Sequence, residues 1–370
     1  MKDVLRIAGL MSGTSMDGLD CCICDISIDK NFTLSFEIIN QSSFDFNPND
    51  KEKINGLLGV KDKFKINQMN SYIGNLFLDL SNEFLSKNSF DYISMHGQTI
   101  HHEDKVDSIQ LGDPFLLANQ FNVPVIYNFR AKDIKENGNG APLMPFLDWL
   151  IFKNQNLDIL TLNLGGISNV SFIPRNSRKD KVIGFDVGPG MSLIDECSKK
   201  FWNDYCDYDC QYSIKGKINE NILNYLMEDS FIIKKPPKST GREDFGKEFV
   251  GRIVEKFNHI NKFDIIRTLV KFTSKSIKVN LEKFILNNNN IDRLIISGGG
   301  LCHSILLSDI KKDLDIAMSD IIDYGIESKF KECLLMSVLG YAKIKNIKSN
   351  MPSVTGAHKN VVLGDICEPK

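Results

Sequence analysis

The stretch Gly9-Leu-Met-Ser-Gly-Thr-Ser-Met-Asp-Gly-Leu-Asp20 gathers small, hydroxyl-bearing and glycine residues into one tight turn between two apolar runs. Residues 4–10 run into the turn as a strand and residues 19–26 leave it as another. The pattern predicts a β-hairpin whose tip presents backbone N–H groups outward. Such a tip suits an anion. Gly13 and Gly18 allow positive φ and close approach of backbone to a phosphate, and Ser12, Thr14 and Ser15 offer hydroxyl donors. Asp17 and Asp20 are candidate oxygen ligands for Mg²⁺ or a water. Taken alone, these residues fit a plain hairpin turn rich in turn-formers at least as well as a nucleotide-phosphate site.

The length of 370 residues predicts two domains, and 42% hydrophobic with 25% charged residues is ordinary for a soluble globular chain. The formal charge of −2 comes from 45 basic and 47 acidic residues, so no electrostatic ground exists for a nucleic-acid or membrane partner. A small-molecule substrate is favoured. No run approaches the roughly 20 apolar residues that span a bilayer. Met1-Lys2-Asp3 leads directly into the first strand, so a cytoplasmic protein is expected. The nine cysteines are an odd set without a disulfide-framework spacing. Cys21, Cys22 and Cys24 are expected as reduced thiols, and Cys206 with Cys210 lacks the second pair that zinc spacing needs.

One pattern occurs twice along the chain. In the first half the hairpin is followed by a third strand near 32–43, an amphipathic helix over 66–85 and a short strand over 92–95 that ends in His96-Gly97-Gln98. In the second half a strand over 159–164 meets Gly165-Gly166 and returns over 169–173. Helices over 192–202, 218–227, 246–257 and 264–286 then lead to a strand over 293–297 that ends in Gly298-Gly299-Gly300. A duplicated α/β domain follows, and two such domains facing a central cleft would let both glycine turns hold one nucleotide's phosphates. Residues 128–145, dense in Gly, Asn and Pro, are expected to link the halves, and 174–180 and 287–290 to be surface loops.

A strand over 181–185 delivers Asp186 at its end, and Gly188-Pro189-Gly190 turns the chain toward the helix that begins near Ser192. A carboxylate there can serve as a general base or as a helix cap, and the spacing by itself does not choose.

Further blocks stand in order: SMHGQT at 94–99, QLGDP at 110–114, NFR at 128–130 with Asp133, GAPLMP at 140–145, NLGGISN at 163–169, GFDVGPG at 184–190, PPKSTGREDFG at 236–246, SGGG at 297–300 and PSVTGA at 352–357. As a set they resemble the anhydro-N-acetylmuramic acid kinases, within the superfamily of sugar kinases, actin and heat-shock chaperones. The resemblance implies an α/β fold, namely a duplicated actin-like ATPase (ribonuclease H-like) two-domain fold with a central interdomain cleft. It implies an N-terminal domain of residues 1–130 plus 353–370 and a C-terminal domain of 131–352.

It also implies the reaction: ATP-dependent opening of a 1,6-anhydro muramic sugar by water with phosphorylation of its O6, in peptidoglycan recycling. Asp186 would be the base. Ser12, Gly13, Thr14, Ser15, Met16, Asp17, Gly18, Leu19 and Asp20, with Gly165 and Gly166, would cradle the phosphates of ATP, with Mg²⁺ neutralising charge and Asp17 a candidate ligand. Gly298, Gly299 and Gly300 would lie against adenosine, and His96, Gln98, Arg130 and Glu332 would line the sugar pocket. Lys238, Ser239, Thr240 and Arg242 would either close over phosphate or form a solvated basic loop. A homodimer is left open.

The chain departs from the family pattern at Val187, Met191, Asn137, Asn139 and His303, each of which changes a hydrogen-bonding group. Two alternatives therefore stand beside the first reading: a kinase of another anhydrosugar such as levoglucosan, and a non-enzymatic actin-like nucleotide switch, against which Asp186 argues.

Overall fold

The structure, a computed structural model, describes residues 3–13, 16–60 and 62–370. The chain forms two units, Met1–Ile151 with Lys329–Lys370 and Phe152–Ser328. These bounds differ from the 1–130 with 353–370 and 131–352 that the resemblance implied. Residues 128–145 are not a linker but a packed part of the first unit. The buried Asp133 carboxylate accepts from the Gly140 N–H at 2.9 Å, from Asn350 Nδ2 at 2.9 Å and from Thr355 Oγ1 at 2.9 Å. A segment tied down through a buried carboxylate cannot act as a free tether. The return at 329 instead of 353 brings the helix Lys331–Ile344 into the first unit.

In the first unit the strands are β1 (Leu5–Ser12), β2 (Gly18–Ile28), β3 (Leu34–Asp45), β4 (Tyr92–Glu103), β5 (Asp107–Leu111), β6 (Val125–Tyr127) and, returning from the C-terminal segment, β12 (Asp365–Cys367). The sheet order is β12-β6-β4-β1-β2-β3, with β5 paired to β4. Two apolar runs around the turn give the predicted hairpin: β1 pairs antiparallel with β2 from Leu5↔Ile26 to Met11↔Asp20. β4 is longer than its apolar start implied, because its polar second half, to Glu103, pairs with β5 as a hairpin. The helix Lys63–Ser86 is capped by Asp62, whose side chain accepts from the N–H groups of Phe64 and Lys65.

The second unit repeats the plan with β7 (Ile159–Leu164), β8 (Ile167–Ile173), β9 (Ile183–Pro189), β10 (Arg293–Ser297) and β11 (Met318–Asp320), in the order β11-β10-β7-β8-β9. In both units the first three strands are antiparallel neighbours, and two further strands, β4 and β6 in the first and β10 and β11 in the second, lie parallel to the first on its other side. This shared plan, β3-β2-β1-β4-β6 in the first unit and β9-β8-β7-β10-β11 in the second, is the actin-like, ribonuclease H-like duplication. Each unit has its own core. Leu10, Leu19, Ile23, Phe46 and Phe77 are buried together in the first, and Leu162, Val170, Phe185, Leu269 and Phe272 in the second.

Close approach explains one glycine of the opening motif. A Cβ on Gly9 would lie 2.2 Å from the Cys333 carbonyl oxygen, so its absence lets the helix Lys331–Ile344 settle onto β1. Among the described residues no helix is long and apolar enough to cross a membrane.

Candidate active site

In the first unit the hairpin tip is laced to β4. The Ser12 hydroxyl lies 2.9 Å from the Gly18 carbonyl oxygen and 2.7 Å from Gln98 Oε1, and Gln98 Nε2 donates to the carbonyls of Gly13 at 3.1 Å and Thr99 at 3.2 Å. Gln98 is fully buried with both ends of its amide engaged, so it ties the hairpin tip to β4. Thr14 and Ser15, expected as hydroxyl donors, lie outside the described residues.

One other expectation for the turn is corrected, and two of its residues are placed. Gly18 does not take positive φ; it is glycine because a Cβ would meet the Phe44 carbonyl oxygen of β3 at 2.3 Å. The left-handed position is Met16, at φ 54°, whose side chain is anchored in the core. Leu19 is a core residue on β2, so only its backbone faces the tip.

Asp20 stands on β2 opposite Met11. Burial raises its carboxyl above the ordinary aspartate value, Asp17 and Asp45 raise it further, and Ser43 and Lys329 hold it down. Glu332, in the first turn of the helix Lys331–Ile344, is raised by burial and then by Asp20, while Arg130 and Lys331 oppose this. The two carboxyls and Asp17 thus share one electrostatic neighbourhood.

His96 is buried on β4. Its Nδ1 lies 2.9 Å from the Gly97 carbonyl and its Nε2 lies 3.1 Å from Arg130 Nε. Arg130 can only donate, so Nε2 is the acceptor and Nδ1 carries the proton. Burial and the Arg130 charge push the imidazole down to about 3, which leaves it neutral at physiological pH. Arg130 Nη1 also donates to the Gly140 carbonyl at 2.9 Å. The structure therefore brings His96 and Arg130 into contact and holds the guanidinium at two points, with Glu332 in its field.

In the second unit Gly165-Gly166 forms the tip of the β7–β8 hairpin. Their carbonyls accept from Gly190 at 2.8 Å, from Met191 at 2.8 Å and from Ser192 at 3.1 Å, so the glycine turn is tied to the start of the helix Ser192–Trp202. Arg242 lies over this turn: its Nε is 3.2 Å from where a Gly166 Cβ would stand, and its Nη1 is 3.6 Å from Glu196 Oε1. Nearby Asp195 is raised to about 6 by burial, against Arg242 and Lys199. Gly298 has φ 96° and would collide through a Cβ with the Leu164 backbone at 2.6 Å, so the Gly298-Gly299-Gly300 turn sits directly against the end of β7.

Asp186 lies inside β9, not at its end, because the ladder continues to Pro189. Asn169 pairs with Asp186 while Ser168 pairs with Gly188, so Val187 is the extra residue of a β-bulge. The Asp186 side chain is nearly buried, and its Oδ2 accepts from the Thr240 N–H at 3.0 Å. Its own N–H donates to the Lys238 carbonyl at 3.2 Å.

Lys238 is neither a solvated loop residue nor a phosphate clamp: it is 1% exposed, with its ammonium turned into the second unit. No periodicity announces this, since the lysine-rich approach at 234–238 looks like surface. Asn280 and Ser276, which bind the bulge, were likewise invisible on a long amphipathic helix.

The departures from the family pattern have local consequences. His303 caps the helix Ser304–Leu314 through Nδ1, which accepts from the Leu306 N–H at 3.2 Å, the task an asparagine would perform there. Val187 is buried, Met191 packs on the second core, and Asn137 Nδ2 lies 3.3 Å from His358 Nε2. Asn139 donates its backbone N–H to the Thr355 carbonyl at 2.8 Å.

A family model described as anhydro-N-acetylmuramic acid kinase matches residues 5–369. The protein of that name from Clostridioides difficile (strain 630) is 35% identical over 375 residues, covering 97% of each chain. That from Bacillus thuringiensis (strain Al Hakam) is 35% identical over 382 residues, covering 99% of each. Among solved structures, a ROK family glucokinase from Streptomyces griseus in complex with glucose and AMPPNP aligns over 90% of this chain and 98% of its own, at 10% identity and a TM-score of 0.41.

Proposed function

The chain belongs to the anhydro-N-acetylmuramic acid kinase family, and from that premise we propose that it uses ATP to convert 1,6-anhydro-N-acetylmuramic acid to N-acetylmuramic acid 6-phosphate. Asp186 takes a proton from a water whose oxygen bonds to the anomeric carbon. The bond from that carbon to O6 breaks, O6 attacks the γ-phosphoryl group in line, and ADP leaves with the bridging oxygen. The observation that carries this reading is the Asp186 carboxylate, nearly buried on a bulge, with one oxygen held by a backbone N–H.

The tip from Ser12 to Asp20 and the Gly165-Gly166 turn bind phosphate oxygens through backbone N–H groups, and Arg242 adds positive charge at the second turn. Gly298, Gly299 and Gly300 take the adenosine side. Asp17 and Asp20 are the hard oxygen donors at this turn, and a phosphate-bound Mg²⁺ asks only one or two carboxylates of a protein, while Glu332 lies on the sugar side with Arg130. When bound, the ion neutralises phosphate charge. Arg130, fixed at two points, pairs with the lactyl carboxylate, and a neutral His96 leaves that guanidinium's charge uncancelled. The reaction belongs to the cytoplasm, where ATP is supplied.

Phosphoryl transfer measured on a panel of anhydrosugars tests the proposal. Turnover of anhydro-N-acetylmuramic acid well above levoglucosan, which lacks the lactyl group, is expected. Faster turnover of levoglucosan would reassign the substrate, and nucleotide binding without transfer to any sugar would leave a switch.

A further inference from the structure

A lysine buried in an apolar setting is costly unless every N–H is answered, and Lys238 is answered completely. Its Nζ donates to the Phe231 carbonyl at 2.9 Å, to the Ile232 carbonyl at 3.4 Å and to Asn280 Oδ1 at 2.6 Å, and it sits 4.5 Å from the Phe231 ring centroid. Burial pushes the ammonium down to about 8, with Asp186 holding it up, so it stays charged at neutral pH.

Where this cage leads is the bulge. The extra residue of a bulge is unpaired in the ladder, and the Val187 carbonyl is instead bound by Asn280 Nδ2 at 3.0 Å and Ser276 Oγ at 3.1 Å. Lys238 orients the Asn280 amide: with Oδ1 taken by the ammonium, Nδ2 must face Val187. The same lysine's backbone carbonyl receives the Asp186 N–H, and two residues on, the Thr240 N–H binds the Asp186 carboxylate. Asp186 is thus bracketed on both sides by groups whose positions depend on one ammonium.

We propose that Lys238 is a positioning residue for Asp186: through Asn280 it locks the bulge at Val187, and through its own main chain it holds the segment that grips the carboxylate. The inference rests on Asp186 as the base. Lys238 touches no reacting atom. Its role is to keep the carboxylate aimed, and a small misplacement of a catalytic group costs about 10²-fold in rate.

The experiment is a double-mutant comparison of Lys238→Met and Asp186→Asn in the full chain, with kcat and both KM values measured on anhydro-N-acetylmuramic acid and ATP. Lys238→Met alone is expected to lower kcat by about 10- to 100-fold with both KM values little changed. In the Asp186→Asn background the same change is expected to add nothing, because no base remains to be aimed. A folded Lys238→Met enzyme with normal kcat, or a loss that multiplies that of Asp186→Asn, overturns the proposal.

If the methionine variant fails to fold, Asn280→Asp serves in its place. It keeps an oxygen for the ammonium and removes the donor to Val187. The same kcat loss, absent in the Asp186→Asn background, is expected; a normal kcat overturns the proposal. Near-normal turnover by Asp186→Asn alone refutes the base assignment instead, which separates the two failures.

Discussion

β3 and β9 occupy the same place in their two units, third along the chain and at the sheet edge beside the second strand, yet they have been put to opposite uses. Every residue of β3 is at least partly exposed, and its polar side chains, among them Ser35, Glu37, Asn40 and Gln41, blunt an open edge. In β9 every residue but Ile183 is buried, and its outer edge meets the Lys238 carbonyl. Both strands carry a register shift, β9 at Val187 and β3 where Ile23 pairs with Asn40 and Cys24 with Ile38. In β9 side chains from a covering helix bind the displaced carbonyl, and among the described residues none does so in β3. Topology alone therefore does not make a site; what matters is whether the edge is covered and the irregularity fixed.

The largest effect expected from this contrast is at Asp186. Asp186→Asn can still accept from the Thr240 N–H through its amide oxygen but cannot take a proton, so kcat should fall by roughly 10² to 10⁴ while ATP binding by calorimetry is retained. Near-normal turnover would put β9 on the same footing as β3.

Next is the tie between β9 and the second glycine turn. A Cβ on Gly190 would stand 2.2 Å from the Gly165 carbonyl oxygen, a backbone atom that cannot swing aside. Gly190→Ala should cost roughly 1–3 kcal/mol in denaturant unfolding and weaken ATP binding as well. Unchanged stability would mean that the turn and the end of β9 are not rigidly joined.

A third expectation sharpens the comparison within the first unit, whose proposed sugar contact, His96, lies on β4 and not on β3. Folded His96 has its pKa lowered to about 3 from an ordinary 6.5, so between these values the unfolded chain binds the extra proton and stability falls as pH falls. The contribution is absent above about pH 6.5 and reaches up to about 1.4 kcal/mol per pH unit below it. Replacing the imidazole in His96→Gln should make unfolding free energy less dependent on pH between 6.5 and 5. An unaltered slope would show that His96 is not buried neutral.

The smallest effect is the control on β3. Glu37→Gln, at an exposed edge position, should change stability by less than about 0.5 kcal/mol and leave kcat as it was.

Much of this contrast could be read from the residues, and its decisive part could not. Apolar runs over 159–164 and 5–12 marked the hairpins because these strands are buried on both faces, and Gly298 marked a turn because only glycine tolerates both its φ and the approach to Leu164. The family blocks pointed to Asp186, His96 and Arg130. The bulge at Val187 leaves no trace in a two-residue period, since an extra residue reads as one more strand position. Lys238 looked like surface because a charged residue carries no signal of burial until its acceptors, the carbonyls of Phe231 and Ile232 and the Asn280 side chain, are assembled around it. The segment 128–145 passed for a linker because Gly, Asn and Pro serve tight packing around Asp133 as readily as they serve flexibility.

The central claim is that one event joins hydrolysis of the anhydro ring to phosphorylation of O6. The most direct test counts products by proton and phosphorus NMR as the protein turns over 1,6-anhydro-N-acetylmuramic acid with ATP and Mg²⁺. One reducing sugar 6-phosphate should appear for each ADP formed, with no free unphosphorylated muramic acid. ADP accumulating without a sugar phosphate, or ring-opened sugar appearing without ADP, would contradict it.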